Sequence, residues 1–454
     1  MASWFAEAFG FEEASYEETR RRFTCAADDG ACISLTSKAN GQVFHVGAFA
    51  TPSVAELREM LAAGGGVDRG DRGGDRGGDG GGRGDRGGDR GDRGDRGDRG
   101  DRGDRGAAAA GGGTGTGTGG GGGGGAEGAA EEEGKGRGMT FTNMSGNARS
   151  LHLDASNAGA VFQVASQFNL LEMVGPGVRP QDGITRYFSD KTQGPVCAVA
   201  CPAGTVYRNY FWNGVGQGPA QFDGAGDIAR LVGNVQHGYW KMRNGYMLPT
   251  EMGVLDGLNA RFASDERAAV MPGGGNDTAT SSSSAGASNS NNASSSSMSL
   301  RDAVIASLRV GIHWDVEVER SRRKPERVPH RVCQVYSSAV PVNYTKTVAT
   351  SQQWAPLASA VLEGTFEAVL SAGAVLSLQR GGERVKVFLT CVGGGAFGNR
   401  SLWIANAMEM ALTRFKDFPL DVFLVHYMRN VTEPTNPFVK IEHKFGVKTR
   451  KKKI

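Results

Sequence analysis

Val385-Lys386-Val387-Phe388-Leu389-Thr390-Cys391, running into Val392-Gly393-Gly394-Gly395-Ala396-Phe397-Gly398-Asn399, decides the fold of this chain. The first seven residues are apolar and β-branched enough for a buried strand. The next eight are a glycine-rich loop. Ser401–Phe415 then carries Trp403, Ile404, Ala407, Met408, Ala411 and Leu412 at helical spacing, which marks one apolar face. Leu420–Tyr427 is a second apolar strand. Strand, loop, helix, strand is a β-α-β unit, and its strands are expected to run parallel through a right-handed crossover. Ligands of open α/β sheets sit beyond the carboxyl ends of such strands. Glycines lacking Cβ let backbone N–H groups approach an anion, and the following helix adds its positive end. No Lys-Ser/Thr follows the loop, so it is not a Walker loop, and its spacing fails the Gly-x-Gly-x-x-Gly pattern. The loop reads as a phosphate cradle or, more plainly, as a tight turn.

Outward from that unit, Ala160–Phe168 reads as a buried strand ending at Asn169, and Arg331–Ala339 as another, closed by Val340-Pro341-Val342. Their ends, Ser166–Asn169 and Ser337–Val342, are expected to converge with Gly393–Asn399. Thr192-Gln193-Gly194-Pro195 leads into the apolar run Val196–Ala200, and a helix starting at Pro195 aims its free N–H groups at whatever occupies the loop before it. Leu357–Ala372 is a buried helix, Leu300–Val310 an amphipathic one, and Gly311–Val318 alternates like a strand. Near the N-terminus, Ala31–Ser37 and Gln42–Phe49 form a hairpin about Asn40-Gly41, followed by the helix Val54–Ala62. Residues 225–271 are partly helical. Tyr207-Arg208-Asn209-Tyr210-Phe211 reads as a short aromatic strand or turn.

Of 454 residues, 71 are glycine. Residues 64–138 are nearly all Gly, Asp, Arg, Ala and Glu, and 272–299 nearly all Ser, Asn, Gly and Ala. Such tracts bury too little apolar surface to offset chain entropy and are expected to be disordered inserts. In the first, Asp neighbours nearly every Arg, so nucleic acid gains little from it and is disfavoured as a partner. The organisation expected is 9–63 as the first part of an α/β domain, 64–138 as insert, 139–271 as core, 272–299 as insert, 300–436 as the rest of the core and 437–454 as a basic tail. The net charge of +3 is too small to demand a polyanion. Six scattered cysteines give no four-ligand zinc set, and dispersed histidines give no metal site, so neither metal nor cofactor is expected. The first residues lack the pattern of a secretory signal, and no stretch approaches the roughly 18 apolar residues that span a bilayer. The expected place of work is the cytoplasm, or the nucleus through the basic tail, without a membrane.

Val385–Tyr427 resembles the C-terminal half of a macrodomain, and Gly394-Gly395-Ala396-Phe397-Gly398 is similar to the diphosphate loop of poly(ADP-ribose) glycohydrolases. Val335–Tyr344 resembles the macrodomain strand that ends in a small residue and a proline. Val161–Asn169 resembles the strand that leads to a ribose-binding asparagine. The resemblance implies a macrodomain-like mixed sheet flanked by helices, a three-layer α/β/α fold, with ADP-ribose or an ADP-ribosylated protein as partner. Two departures weaken catalysis more than binding. The usual Asn-Ala-Ala-Asn is replaced by Ala165-Ser166-Gln167-Phe168-Asn169, and the glycines followed by Gln-Glu-Glu are missing.

Hydrolysis of an ADP-ribosyl bond needs a carboxylate near the anomeric carbon. Asp190 and Glu172 are the candidates, against roles as a helix cap and a salt-bridge partner. The candidate binding residues are Asn169 at a ribose hydroxyl, Gln193 and Gly194 at a helix start, Arg208 at a phosphate or a buried carboxylate, Pro341, and Gly393, Gly394, Gly395, Ala396, Phe397, Gly398 and Asn399 of the loop. Three readings stay open. They are an ADP-ribosyl hydrolase, a non-catalytic ADP-ribose reader, and a protein- or RNA-interaction factor acting through its inserts and tail.

Overall fold

A computed structural model of the protein describes residues 3–28, 32–64, 138–270, 298–320, 328–427 and 431–446. The expected inserts, apart from their end residues, and the tail beyond residue 446 lie outside the described residues. The chain begins with α1 (Trp4–Phe9), α2 (Tyr16–Arg21), β1 (Phe23–Asp28), β2 (Cys32–Ser37), β3 (Val43–Gly47), β4 (Phe49–Ala50) and α3 (Val54–Ala62). Next come β5 (Thr140–Gly146), α4 (Ala148–Leu153), β6 (Val161–Ala165), α5 (Gln193–Ala200), α6 (Pro202–Tyr210), α7 (Gly226–Leu231), α8 (Asn234–His237), β7 (Trp240–Arg243), β8 (Tyr246–Pro249) and α9 (Leu255–Val270). The last set is α10 (Leu300–Ser307), β9 (Gly311–Glu317), β10 (Arg331–Ser337), α11 (Ser351–Gln379), β11 (Val385–Thr390), α12 (Ser401–Arg414), β12 (Leu420–Tyr427) and α13 (Pro437–Phe445).

Seven strands form one mixed sheet in the order β4-β9-β10-β6-β11-β12-β5. All neighbours from β10 to β5 are parallel, and β9 runs antiparallel to β10 and to β4. The expected β-α-β unit is β11-α12-β12, with Val385 opposite Leu420 and Thr390 opposite Val425. Central strands buried on both faces read as continuous apolar runs, and that is why β6, β10 and β11 are visible in the sequence. Phe162, Phe388 and Phe423 stand in register on one face and stack, with ring centroids 4.6 and 5.2 Å apart. Helices α3, α10, α11 and α12 cover one face, while α4, α5 and α6 lie on the other. This is a three-layer α/β/α arrangement. The hairpin β2-β3 continues past Gly47 into β4, which pairs with β9, so the N-terminal segment reaches the main sheet.

Four expectations are corrected. Tyr207–Tyr210 belongs to helix α6, not to a strand or turn. Pro202 at the first helical position presets its φ, and Tyr210 fills an aromatic cluster with Tyr16 from the helical side. The basic tail does not begin at 437, because Pro437–Phe445 is a helix capped by Asn436 whose Phe438, Val439 and Ile441 are buried. Helix α11 is 29 residues long, extended at its start by a Thr350–Gln353 capping box. By length and composition it is apolar enough to cross a bilayer, contrary to the sequence reading, but almost all of it is buried inside the fold. Finally, β5 was not anticipated. Its polar sequence has one fully buried side chain, Phe141, and the strand is held at the sheet edge by pairing with β12.

Candidate functional site

Because β10, β6, β11 and β12 are parallel, their carboxyl ends open on one side of the sheet. A cleft of about 810 Å³ lies there, within the usual range for small-molecule sites. One wall is the glycine loop, from Cys391 to Phe397, with Ser401 and Ile404 of α12. The opposite wall is Ala165–Gln167, Glu172–Val174 and Asp190–Pro195. Tyr246 and Tyr344 close one end, and His426, Tyr427, Val431, Thr432, Glu433, Asn436 and Phe438 the other.

The loop is shaped by its glycines. Gly393 and Gly398 have φ of 77° and 71°, and a Cβ at Gly398 would collide with Asn343. Four short backbone bonds fold the turn, donated by Val392, Gly394, Gly398 and Asn399. The amides of Gly395, Ala396 and Phe397 donate to no acceptor among the described residues, and Gly394–Ala396 are exposed. Nothing lies within 4 Å of the place a Cβ would take on Gly395. Two helix starts adjoin the cleft, α5 and α12, and neither has a side-chain cap. Their unpaired N–H groups give this space a positive potential. No arginine lines it among the described residues; its charged side chains are Glu172, Asp190, Lys191 and Glu433. Any anion held here is therefore held mainly by the backbone.

Phe397 packs with Tyr344 and Tyr246 at centroid distances of 5.8 and 5.5 Å, and the two tyrosines are 5.0 Å apart. The trio forms an aromatic surface at one end of the cleft. Tyr246 is delivered by the hairpin β7-β8, whose Asn244-Gly245 turn has both φ values positive, 47° and 79°, as a two-residue type I′ turn requires.

Glu172 forms part of the cleft wall, yet its side chain is covered. Burial pushes its carboxyl up to about 7, against the opposing pull of Arg208. Arg208 places Nη2 at 3.5 and 3.4 Å from the two carboxylate oxygens. Glu172 N–H donates to the Tyr187 hydroxyl at 3.0 Å. Asp190 is half-buried at the rim, and its Oδ1 accepts from Thr192 N–H at 2.8 Å. Gln193 Nε2 donates to the Val425 carbonyl at 3.0 Å. Gly194 allows α5 to seat against β6, since a Cβ there would overlap the Ala165 carbonyl oxygen. Burial pushes the Cys391 thiol up to about 12, so it is no thiolate nucleophile at neutral pH.

Several sequence candidates are placed elsewhere. Asn169 is wholly buried and does not line the cleft. Its Nδ2 donates to Gln221 Oε1 at 2.9 Å, and Gln221 Nε2 donates to Asn244 Oδ1 at 2.8 Å. It braces the hairpin that carries Tyr246, because its short amide faces that turn. Arg208 is also wholly buried, stacked on Tyr336 with its guanidinium 3.4 Å from the ring centroid. It meets the carboxylate, not a phosphate, because α6 runs behind the wall. Pro341 is buried outside the cleft. Asn399 is buried too, and its Nδ2 ties the loop to the Val340 carbonyl at 2.9 Å.

Two cleft residues escaped the sequence reading. Gln167 Oε1 accepts from Met173 N–H at 2.8 Å. Its amide is thereby oriented, and its Nε2 has no acceptor among the described residues. His426 Nε2 is 3.0 Å from Asn143 Oδ1, while Asn143 Nδ2 donates to the Phe438 carbonyl and Glu442 Oε2. Asn143 thus presents an acceptor, which assigns the proton to Nε2 and leaves Nδ1 as an acceptor. Burial holds this imidazole below its ordinary value, although Glu442 opposes the shift. Gln167 just after the end of β6 and His426 near the end of β12 share one signal, a place at the carboxyl end of a parallel strand.

No protein-family model matches the chain, and no curated protein matches it. Among solved structures it is similar to poly(ADP-ribose) glycohydrolase from Deinococcus radiodurans in complex with ADP-ribose. One such structure is 10% identical, covering 67% of this chain and 83% of that chain, with a TM-score of 0.28. Another is 14% identical, covering 30% and 51%, with a TM-score of 0.22, so this chain spans about half the length of that protein. The enzyme from Thermomonospora curvata bound to the inhibitor ADP-HPD is 20% identical, covering 30% and 48%, with a TM-score of 0.20. The functional reading rests on the cleft itself.

Proposed function

We propose that the cleft binds the diphosphate of an ADP-ribose-like nucleotide on the Gly393–Asn399 loop, and that Glu172 serves hydrolysis of an ADP-ribosyl linkage. The observation that carries the binding is the set of unpaired amides at Gly395, Ala396 and Phe397, beside a cleft large enough for a nucleotide. Backbone donors at a helix start are a recurrent solution for phosphate. The Tyr246–Tyr344–Phe397 surface suits a ribose or base, and Gln167 offers a donor to a sugar hydroxyl.

Glycosidic cleavage needs a proton for the leaving oxygen and a base for the incoming water. A carboxyl brought to about 7 by burial is shared between both forms at neutral pH, so one group can give the proton and take one back. In this reading Asp190, more exposed, holds water at the rim. A second reading, a non-catalytic reader, is favoured by one observation: Glu172 is covered and already engaged by Arg208. The partner in either case is ADP-ribose or an ADP-ribosylated protein.

Titration with ADP-ribose should raise the melting temperature, since a ligand selective for the native state stabilises it. Release of ADP-ribose from a modified protein should then be lost in Glu172→Gln with binding intact. No thermal response to ADP-ribose would overturn the nucleotide reading. A response without release in the wild type would leave the reader.

A further inference from the structure

Arg208 lies behind the cleft wall and meets Glu172 from there. It is fully buried, it is not part of the cleft lining, and it has a fixed environment on three sides. Its Nε donates to the Leu170 carbonyl at 2.9 Å, its Nη2 faces both Glu172 oxygens, and its plane lies on the Tyr336 ring. Thr205 Oγ1 stands 3.4 Å from Nη2. Leu170 itself has φ of 62°, an unfavourable conformation for a bulky side chain. That strained residue turns the chain from the end of β6 back toward Glu172. The same guanidinium therefore holds the backbone of the turn and the carboxylate that the turn delivers.

We propose that Arg208 is a positioning residue for Glu172: it locks the strained turn at Leu170, orients the carboxyl group from behind the cleft wall, and supplies its counter-charge. The proposal rests on the reading that Glu172 works on the ligand. The groups facing Glu172 from each packed element are Tyr187, Cys197 on α5, Arg208 on α6 and, beneath the guanidinium, Tyr336 on β10. His313 on β9 adjoins Arg208 from the far side. Burial raises Tyr187, Cys197 and Tyr336 and lowers His313, so all four are neutral near pH 7. Among the described residues packed against Glu172, Arg208 is the group that can offset a negative charge on it. The fork geometry matters, because lysine supplies a point charge without the second contact to Leu170.

The test uses the full chain with 13C-labelled glutamate carboxyls, without ligand, so that it does not depend on activity. The Glu172 signal is identified by its loss in Glu172→Gln. Arg208→Gln should raise the Glu172 midpoint by roughly 1–3 pH units, as expected for loss of an adjacent opposite charge. Arg208→Lys should give a smaller rise and a fall in kcat with KM little changed. Should Arg208→Gln fail to fold, the wild-type Arg208 guanidinium 15N signals, identified by their loss in Arg208→Lys, give the same answer. They should move with the Glu172 midpoint and stay still in Glu172→Gln. A Glu172 midpoint unchanged in a folded Arg208→Gln, or guanidinium signals indifferent to pH between 5 and 9, overturns the proposal. Coupled titration in a protein that cleaves no ADP-ribosyl bond upholds the Arg208 role and removes the hydrolytic reading alone.

Discussion

The two long walls of the cleft are built on opposite principles. The glycine-loop wall is exposed backbone: three successive residues keep unpaired amides, and a Cβ at Gly395 would meet open space. The facing wall is buried side chain: Glu172 is covered and held from behind by Arg208 and Tyr187, and Gly194 has no room for a methyl group. The first is a surface waiting for a ligand. The second is a frame that fixes a single carboxyl group. A glycine on one wall serves access, and on the other it serves packing.

That contrast is sharpest in paired alanine substitutions. Gly194→Ala places its Cβ against the Ala165 carbonyl, which cannot yield without moving β6. It should cost more than about 3 kcal/mol, beyond the usual range for overpacking, seen as a large drop in denaturant midpoint. Gly395→Ala should stay within about 0.5 kcal/mol of wild type. Equal losses at both sites would break the distinction between the walls.

A second effect separates them by pH. The Glu172 carboxyl is raised in the folded protein from 4.5 to about 7, so between these values the folded state binds the proton more tightly than the unfolded chain. Stability attributable to this group is full below about 4.5, declines as pH rises to about 7, and is level above. The decline is up to about 3 kcal/mol. Glu172→Gln carries no such proton. The stability difference between variant and wild type should therefore shift toward the variant from pH 5 to pH 8. The loop wall, whose Cys391 thiol is pushed up to about 12 by burial, should show no comparable dependence in Gly395→Ala. A pH-independent difference for Glu172→Gln would mean that the carboxyl is not protonated in the fold near neutrality.

The same contrast explains what the sequence disclosed. The loop wall is local, since strand, glycines and helix follow one another within one β-α-β unit, and periodicity and missing Cβ atoms announce it. The other wall is assembled from three separate short segments between residues 165 and 195, with Arg208 behind them, and no periodic pattern links those segments. Arg208 was placed among aromatics that favour strands, and only the Pro202 start betrayed the helix that carries it behind Glu172. Asn169 had the right residue type at the right strand end, but Gln221 and the Leu171 N–H take up its amide. The polar β5 was invisible because pairing with β12, not its own pattern, makes it a strand. Burial and distant partners decide function there, and neither has a local signature.

Gln167 and Asn169, two residues apart, divide the frame wall itself. Asn169→Ala removes the donor to Gln221 and the acceptor for Leu171 N–H, leaving buried groups unpaired, and should cost about 1–3 kcal/mol of stability. Any loss of ligand affinity would follow indirectly, through a looser hairpin at Tyr246. Gln167→Glu keeps an oxygen to accept from Met173 N–H, removes the amide donor of this cleft-lining side chain and adds a negative charge that also opposes an anion. Its stability should change by less than about 1 kcal/mol, while ADP-ribose affinity falls roughly tenfold, the equivalent of about 1.4 kcal/mol for one lost hydrogen bond. Calorimetric titration beside thermal melting distinguishes the two patterns. If Gln167→Glu binds as tightly as wild type while Asn169→Ala binds poorly and melts normally, the ligand is read by Asn169 after all, and the division of this wall into brace and reader is wrong.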